Sequence, residues 1–112
     1  MRILITGGLG QVGSELALAL RERHGAENVL VTDLKRSGNG EVEEGGPFEI
    51  LDCRDGERLY ELVREFRVER IYHLAALLSA TAEDRPQEAW DINVSGLYSV
   101  LEVARQEGCS VF

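Results

Sequence analysis

The sequence predicts an α/β fold, a doubly wound parallel sheet with helices on both faces. Short apolar runs alternate with longer amphipathic segments, and a glycine-rich turn separates the first run from the first such segment. Strand–helix–strand units of this kind, joined by right-handed crossovers, build an open parallel sheet. A length of 112 residues corresponds to one domain that buries roughly two-thirds of its unfolded surface. Residues 1–112 are therefore predicted to form a single domain.

Five short apolar runs are the predicted strands, because turn-forming residues or amphipathic segments separate them. They are Ile3–Ile5, Val29–Val31, Phe48–Leu51, Ile71–Ala75 and Ser110–Phe112. The third run alternates apolar and polar residues, which is typical of a strand nearer the edge of a sheet. The fifth run only begins at Ser110, so we expect a sheet truncated at its fifth strand.

Three amphipathic segments are predicted to be helices from their apolar spacing and their end signals. The first ends at Gly25 and has an apolar face of Val12, Leu16, Ala19 and Leu20. The second follows the capping residue Asp55 and has a core face of Leu59, Leu62, Val63 and Phe66. The third starts at Pro86 and has one face made of Trp90, Leu97, Leu101 and Ala104. Residues 34–47 are predicted to be a flexible surface loop.

The acidic composition argues against several classes of partner. Twelve Lys and Arg against 20 Asp and Glu give a formal charge of −8, whereas nucleic acids and anionic membranes bind clustered positive charge. No apolar run approaches the roughly 20 residues of a membrane-spanning helix. The cysteines, Cys53 and Cys109, make neither a disulfide framework nor, with His24 and His73, a metal-ligand cluster. We expect a cytoplasmic protein with no nucleic-acid, membrane or metal partner.

The turn after the first strand carries the pattern of a dinucleotide phosphate site. Gly7, Gly10 and Gly13 allow, in that order, a sharp turn, a close approach of diphosphate to the backbone, and tight packing of helix on sheet. The N–H groups near Gln11 and Val12, at the start of the helix, attract negative charge. A tight turn without a ligand also explains three glycines. Their place between a buried strand and an amphipathic helix favours a Rossmann-like nucleotide site.

Asp33 ends the second strand twenty positions after Gly13, where a carboxylate accepts hydrogen bonds from the adenosine ribose hydroxyls. Such a carboxylate repels a 2′-phosphate, so NAD is favoured over NADP. Lys35 and Arg36 favour NADP instead, because a cation just after this strand can bind the 2′-phosphate. A simple turn residue is the alternative role for Asp33.

Two further strand ends point to the same crevice. Asp52 follows the third strand and is positioned to meet an adenine amino group, although a turn or helix-leading carboxylate explains it nearly as well. The small residues of Leu74–Leu77 at the end of the fourth strand permit a cofactor to lie across the backbone, and they are also ordinary packing residues. His73, inside an apolar strand, is predicted to be a hydrogen-bonded core residue rather than a catalytic base.

These motifs resemble the extended short-chain dehydrogenases/reductases, the NAD-dependent epimerase/dehydratase family. The resemblance covers the whole chain and rests on Thr6-Gly7-x-x-Gly10-x-x-Gly13, Asp33, Asp52, His73-Leu74-Ala75-Ala76 and Asn93-Val94-x-Gly96. Within this family, the stretch Leu74–Ala80 looks most like the short-chain type of L-threonine 3-dehydrogenase, which oxidises the threonine hydroxyl with NAD to 2-amino-3-oxobutanoate. The glycine motif is less discriminating, because sugar-nucleotide epimerases and dehydratases share it.

The resemblance implies a set of site residues. The cofactor-binding residues it implies, together with those expected from the glycine motif and the long helix, are Gly7, Gly10, Gln11, Val12, Gly13, Asp33, Asp52, Cys53, Leu74, Ala75, Ala76, Leu77 and Asn93. Ser79 matches a position beside the substrate pocket, so it is a candidate threonine contact or, alternatively, a loop cap. Asn93 is expected on the buried face of the long helix, where it bridges backbone groups rather than taking part in chemistry.

The family's catalytic pair, a tyrosine with a lysine four residues on, is missing. Tyr60 is followed at that spacing by Arg64, Tyr72 by Ala76, and Tyr98 by Glu102. The single lysine is Lys35, and arginine does not replace it because it keeps its proton. The chain therefore contains no predicted catalytic residue and no substrate lobe, and it is expected to be inactive alone.

Three interpretations of function follow. The leading one is the NAD-binding portion of a threonine-dehydrogenase-like oxidoreductase with a small-molecule substrate. A fragment of a nucleotide-sugar epimerase or dehydratase is the second, and a non-catalytic dinucleotide-binding module is the third. We also expect a homo-oligomer, because an incomplete sheet edge and an exposed apolar helix recruit partners, and the long helix contributes to a dimer interface in the family that the chain resembles.

Overall fold

A parallel sheet of five strands forms the centre of the molecule. The computed structural model describes residues 1–36, 38, 40–75 and 84–112. The strands are β1 (Ile3–Thr6), β2 (Val29–Asp33), β3 (Phe48–Ile50), β4 (Arg70–His73) and β5 (Ser110–Val111). Their order in the sheet is β3-β2-β1-β4-β5, and all pairs are parallel. The predicted α/β class and the edge position of the third strand are confirmed.

Helices connect successive strands. They are α1 (Gln11–His24), α2 (Gly40–Glu43), α3 (Gly56–Phe66), α4 (Pro86–Trp90) and α5 (Gly96–Glu107). A 3-10 turn over Ala26–Asn28 precedes β2, and a π-helical turn over Asp91–Ser95 joins α4 to α5. The described part of the chain contains no helix that is both long and apolar enough to cross a lipid bilayer.

The sheet separates two hydrophobic clusters. Leu4 of β1 packs with residues of α3 and α5 on one face, while Ile3 and Ile5 pack towards α1 on the other. All three side chains are fully buried. A continuous aliphatic strand is the expected sequence for a central strand covered on both faces. This burial holds the carboxyl end of β1, and the glycine turn that follows it, in the middle of the sheet.

Two predicted helix ends are confirmed, the start of α3 at Asp55 and the end of α5 at Gly108. The Asp55 side chain caps α3 by accepting a hydrogen bond from the Arg58 amide at 3.1 Å. Gly108 ends α5 in the left-handed region, with φ of 73°. Glycine adopts this conformation without the steric cost that a side chain adds.

The predicted helix faces were partly wrong. On α1 the buried residues are Gly13, Ala17, Leu20 and Arg21, whereas Val12 is 67% exposed. The reason is close contact between Gly13 and the glycine turn, which rotates Val12 towards a cavity. On the last helix the predicted face is largely exposed, and the residues that α5 buries are Gly96, Val100, Val103 and Ala104. The π-helical turn adds a residue per turn and so breaks a continuous helical spacing.

The predicted loop over residues 34–47 contains the short helix α2. The buried Arg21 side chain of α1 holds it, because Nη1 donates to the Val42 carbonyl at 2.6 Å and Nη2 to the Pro47 carbonyl at 3.0 Å. Burial lowers the pKa of Arg21. The composition of residues 34–47 does not indicate this contact, because Arg21 belongs to α1.

Candidate functional site

A cavity of about 650 Å³ opens at the carboxyl ends of the parallel strands. The described residues that line it are Gly7, Gly10, Gln11, Val12, Gly13, Asp33, Leu34, Leu51, Asp52, Cys53, Leu74, Ala75 and Ile92. It lies beside β1, where the chain crosses from the β2 side of the sheet to the β4 side. Ligands of open α/β sheets bind at such a crossover point. The structure thus brings ten of the thirteen predicted cofactor residues to one cavity.

The glycine turn leaves no space for side chains at its first and third glycines. A Cβ atom on Gly7 would lie 2.7 Å from the Ala75 nitrogen, and one on Gly13 would lie 2.2 Å from the Gly7 oxygen. At Gly10 the nearest atom, the Gly7 oxygen, is 3.5 Å away. Gly7 also has φ of 69°, which favours glycine. The first and third glycines therefore serve packing, whereas the second leaves open space at the cavity.

The start of α1 presents free backbone donors. Helix α1 has no side-chain cap and no acidic residue in its first turn. Its first backbone hydrogen bond runs from the Ser14 amide to the Gly10 oxygen at 2.8 Å. Within the described residues, nothing accepts the N–H groups of Gln11 and Val12, and both residues are exposed. Free amides at a helix start attract anions such as a diphosphate.

Asp33 joins the second strand to the glycine turn. Its Oδ2 accepts a hydrogen bond from the Leu9 amide at 2.9 Å, and its Oδ1 accepts one from the Leu34 amide at 2.7 Å. A carboxylate has about four acceptor positions, so each oxygen keeps one for a ligand. Two remaining positions suit the two hydroxyls of a ribose. The contact with Leu9 lies 24 residues away along the chain, and no sequence signal indicates it.

The cations after β2 are not equally available. Arg36 forms an ion pair with Glu43 at 3.5 Å, and its guanidinium lies 4.9 Å from the centre of the Phe48 ring. Lys35 is exposed. The Arg36 contacts draw that side chain towards α2 and β3, which weakens the case for a 2′-phosphate site there.

Asp52 lies at the cavity rim and is paired with Arg54. The guanidinium contacts both carboxylate oxygens, and the shortest distance is 2.7 Å from Nη2 to Oδ2. These hydrogen bonds from Arg54 lower the pKa of Asp52. The carboxylate is therefore charged at neutral pH and able to accept a donor from a ligand.

Thr6 is a buried hydrogen-bonding centre below the cavity. Its Oγ1 accepts from the Leu74 amide at 3.0 Å and from the Ala75 amide at 3.2 Å, and it lies 2.8 Å from His73 Nδ1. Because both acceptor positions of the hydroxyl are occupied, its O–H group donates a hydrogen bond to His73 Nδ1. His73 is therefore neutral with its proton on Nε2, and burial lowers its pKa. This arrangement supports the core role predicted for His73 and adds Thr6, which sequence reasoning missed.

Cys53 contributes an apolar wall rather than a reactive thiol. The side chain is 5% exposed, and burial raises its pKa to about 11. A thiol with so high a pKa stays protonated at neutral pH and is a poor nucleophile. A Cβ atom on Gly96 would lie 3.1 Å from the Cys53 Cβ, so the start of α5 packs directly on this wall.

The remaining predicted residues are outside the cavity or outside the described residues. Asn93 is half-buried on the π-helical turn, and the described lining includes its neighbour Ile92 but not Asn93 itself. Ala76, Leu77 and Ser79 lie outside the described residues. Across the described residues, His, Cys, Asp and Glu side chains form no group of three or more that could hold a metal ion.

The cavity fits a dinucleotide. Space at Gly10 and the free amides of α1 suit a diphosphate, and Asp33 has two acceptor positions for a ribose. Leu34 and Leu51 add apolar lining suited to the face of a base. The shape and the hydrogen-bonding groups of the cavity therefore agree with the dinucleotide site that the glycine motif predicts.

Comparison with known proteins points to one family. The sequence matches the model of the NAD dependent epimerase/dehydratase family over residues 3–112. An uncharacterized epimerase/dehydratase of Staphylococcus epidermidis is 52% identical over 105 residues, which are 94% of this chain and 33% of that protein. The chain thus spans about a third of the length of this relative.

Solved structures agree with this match. L-threonine dehydrogenase from Clostridium difficile superposes with a TM-score of 0.96 at 46% identity, over 99% of this chain and 35% of that chain. A UDP-glucose 4-epimerase from Thermus thermophilus, in complex with NAD, has a TM-score of 0.84 at 35% identity, over 96% of this chain and 35% of that chain. The fold, the glycine turn and the family match lead to the same conclusion: the chain belongs to the NAD-dependent epimerase/dehydratase family, and its cofactor is NAD.

Proposed function

We propose that residues 1–112 are the NAD-binding domain of an oxidoreductase resembling the L-threonine 3-dehydrogenases. The observation that carries this proposal is the cavity at the glycine turn, where free amides of α1 and the Asp33 carboxylate face the same space. NAD, when bound, supplies a hydride acceptor. The chain's own residues bind and orient it.

Each part of the cofactor has residues suited to it. The free amides of Gln11 and Val12 bind the diphosphate, and Asp33 accepts from the adenosine ribose. Asp52 accepts from the adenine amino group. The cofactor then lies across Leu74 and Ala75, with Gly7 and Gly13 shaping the turn and Cys53 closing one wall. Ala76, Leu77 and Asn93 complete the proposed set, and they rest on the sequence resemblance.

The threonine reaction is the favoured chemistry for the complete enzyme. Several neighbouring structures are L-threonine dehydrogenases, including one from Cupriavidus necator at 44% identity and a TM-score of 0.91. The sequence stretch Ala76–Ala80, with Ser79 as a substrate contact, supports the same assignment. A nucleotide-sugar epimerase or dehydratase is the second candidate, because the family match includes such enzymes and a UDP-glucose 4-epimerase structure also superposes on the chain, with a lower TM-score than the threonine dehydrogenases.

This chain alone is proposed to bind NAD without oxidising threonine. No tyrosine in the sequence has a lysine four residues on, so the acid–base pair of the resembling family is missing. A non-catalytic dinucleotide-binding module is the alternative that this absence favours. A spectrophotometric assay for NADH with L-threonine tests it, and turnover by the chain would contradict this part of the proposal.

Self-association in the cytoplasm completes the proposal. Trp90, Leu97 and Leu101 are 68%, 42% and 50% exposed along the last helical segment. Large exposed apolar patches mark interaction surfaces. Sedimentation velocity measures the association, and a monomer across the accessible concentration range would contradict it.

Calorimetric titration of the chain with NAD is the direct test of the site. We expect the wild type to bind NAD and the Asp33→Ala variant to bind it about tenfold or more weakly, since hydrogen bonds to a charged group are lost. Glu22→Ala, an exposed acidic position on α1, is the matched control. Equal affinity of wild type and Asp33→Ala would remove Asp33 from the site, and no binding by the wild type would refute the proposed function.

A further inference from the structure

Arg54 connects two walls of the cavity through a pair of carboxylates. One is Asp52, after β3, and the other is Asp91, on the π-helical turn. We propose that Arg54 is a positioning residue, which orients the Asp52 carboxylate so that it accepts a single N–H of the adenine amino group. This inference rests on the proposed cofactor site and extends it to base specificity.

The Asp52 carboxylate is held in a definite orientation. Its Oδ1 accepts from the Arg54 backbone amide at 2.9 Å and from Nε at 3.0 Å. Its Oδ2 accepts from Nη2 at 2.7 Å and shares Nε at 3.2 Å. The planar guanidinium therefore meets the carboxylate edge to edge. This bidentate geometry fixes the plane of the acid as well as its position.

The remaining acceptor capacity of Asp52 is small. A carboxylate offers about four acceptor positions, two on each oxygen. Three N–H groups of Arg54 use these positions, and the hydrogen on Nε is shared between Oδ1 and Oδ2. Three donors on about four positions leave one position of the carboxylate for a ligand. An exocyclic amine, as in adenine, supplies one N–H there. Hypoxanthine has a carbonyl oxygen at the same place. This oxygen and the Asp52 carboxylate oxygen are both acceptors, so they would repel each other.

The opposite end of Arg54 is fixed as well. Nη1 donates to Asp91 Oδ2 at 2.7 Å, and Asp91 Oδ1 accepts from the Ser95 hydroxyl at 2.9 Å. The neighbour of Asp91, Ile92, lines the cavity. Arg54 thus cannot turn away from Asp52 without releasing the π-helical turn. Its side chain is 33% exposed, so the bridge contributes little to stability, and its main effect is geometric.

The test compares NAD with nicotinamide hypoxanthine dinucleotide, which replaces the amino group with a carbonyl. By calorimetry we expect the wild type to prefer NAD about tenfold. Arg54→Ala should reduce this preference to about twofold, mainly by weakening NAD. Arg54→Lys should behave similarly, because lysine keeps the charge but lacks the planar fork. Arg58→Ala, which removes ion pairs with Glu49 and Glu61, is the matched control and should keep the wild-type preference.

A double-mutant cycle separates positioning from general loop stability. We expect Asp52→Ala alone to abolish the preference, so adding Arg54→Ala to it should not change the preference further. A wild-type preference retained in both Arg54 variants would overturn the inference. So would a wild type that binds both dinucleotides equally, although that result leaves the proposed NAD site intact. Failure of the wild type to bind NAD would refute the proposed function itself.

Discussion

The carboxylate of Asp33 accepts a hydrogen bond from the Leu9 amide at 2.9 Å, across 24 residues of sequence. The side chain proposed to accept from the ribose therefore also holds the glycine turn against the end of β2. A change at Asp33 should therefore alter both the proposed ribose contact and the shape of the glycine turn, which is the proposed diphosphate site.

Replacement of Asp33 should destabilise the protein even without NAD. Asp33→Ala leaves the amides of Leu9 and Leu34 without their acceptor, which costs about 1–3 kcal/mol for buried donors and less where water reaches them. Asp33→Asn keeps one acceptor oxygen and should lose less. Urea denaturation without ligand measures both, with Glu22→Ala as control. Equal stability of Asp33→Ala and wild type would show that the Leu9 contact contributes nothing.

The two glycines Gly10 and Gly13 should respond differently to a methyl group. Gly13→Ala places a Cβ atom 2.2 Å from the Gly7 oxygen, so we expect a loss of about 1–3 kcal/mol in the free energy of unfolding. Gly10→Ala meets only the Gly7 oxygen at 3.5 Å and should cost less than about 1 kcal/mol.

NAD affinity should distinguish the role of Gly10 from that of Gly13. Gly10→Ala should fold normally yet bind NAD at least several-fold more weakly, because the methyl group occupies the space where the diphosphate approaches. Thermal unfolding and calorimetry together make the measurement. A Gly10→Ala variant with unchanged NAD affinity would contradict the placement of the diphosphate.

Removal of the Thr6 hydroxyl should cost more than removal of the Thr32 hydroxyl. Thr6→Val keeps the shape of the side chain but takes a partner from His73 and from the Leu74 and Ala75 amides. The Leu74 amide keeps the Thr6 backbone carbonyl as an acceptor at 3.1 Å, whereas the Ala75 amide and His73 Nδ1 lose this partner. We expect a loss of about 1–3 kcal/mol, because partly buried polar groups are left unsatisfied. Thr32 donates one hydrogen bond, to the Ile5 carbonyl at 2.8 Å, and is the matched buried control. Urea denaturation of both variants compares them, and equal losses would contradict a central role for Thr6.

Stability should fall in mild acid because of His73. Burial holds its pKa below the ordinary 6.5, so the unfolded chain takes up a proton more readily than the folded one. The contribution of His73 is complete above about pH 6.5 and is lost as the pH falls towards the folded-state pKa. His73→Asn, which cannot titrate and keeps an acceptor for Thr6, should show a shallower decline between pH 7 and 5.

The matched control for this pH dependence is His24→Asn, on the last turn of α1. It leaves the Thr6–His73 pair intact and should decline as the wild type does. Denaturant melts at several pH values give the comparison. Identical pH profiles for wild type and His73→Asn would show that His73 does not contribute to acid sensitivity.

The amino-acid sequence by itself determined the class of the fold, the order of its elements and the position of the glycine turn. These are local properties: aliphatic runs make buried strands, Asp55 caps α3, and Gly108 adopts a left-handed conformation at the end of α5. The Gly7–Gly13 spacing is also local, so the sequence alone is enough to locate the expected phosphate site.

Only the tertiary structure decided which distant residues meet. Leu9 with Asp33, Thr6 with His73 and Arg54 with Asp91 are 24, 67 and 37 residues apart along the chain. It also decided that Val12 faces a cavity and that a π-helical turn changes the buried face of the last helix. The physical reason is that these contacts depend on the crossovers of the sheet and on tight packing at Gly13. Periodicity describes one helix or strand at a time and contains no information about its neighbours.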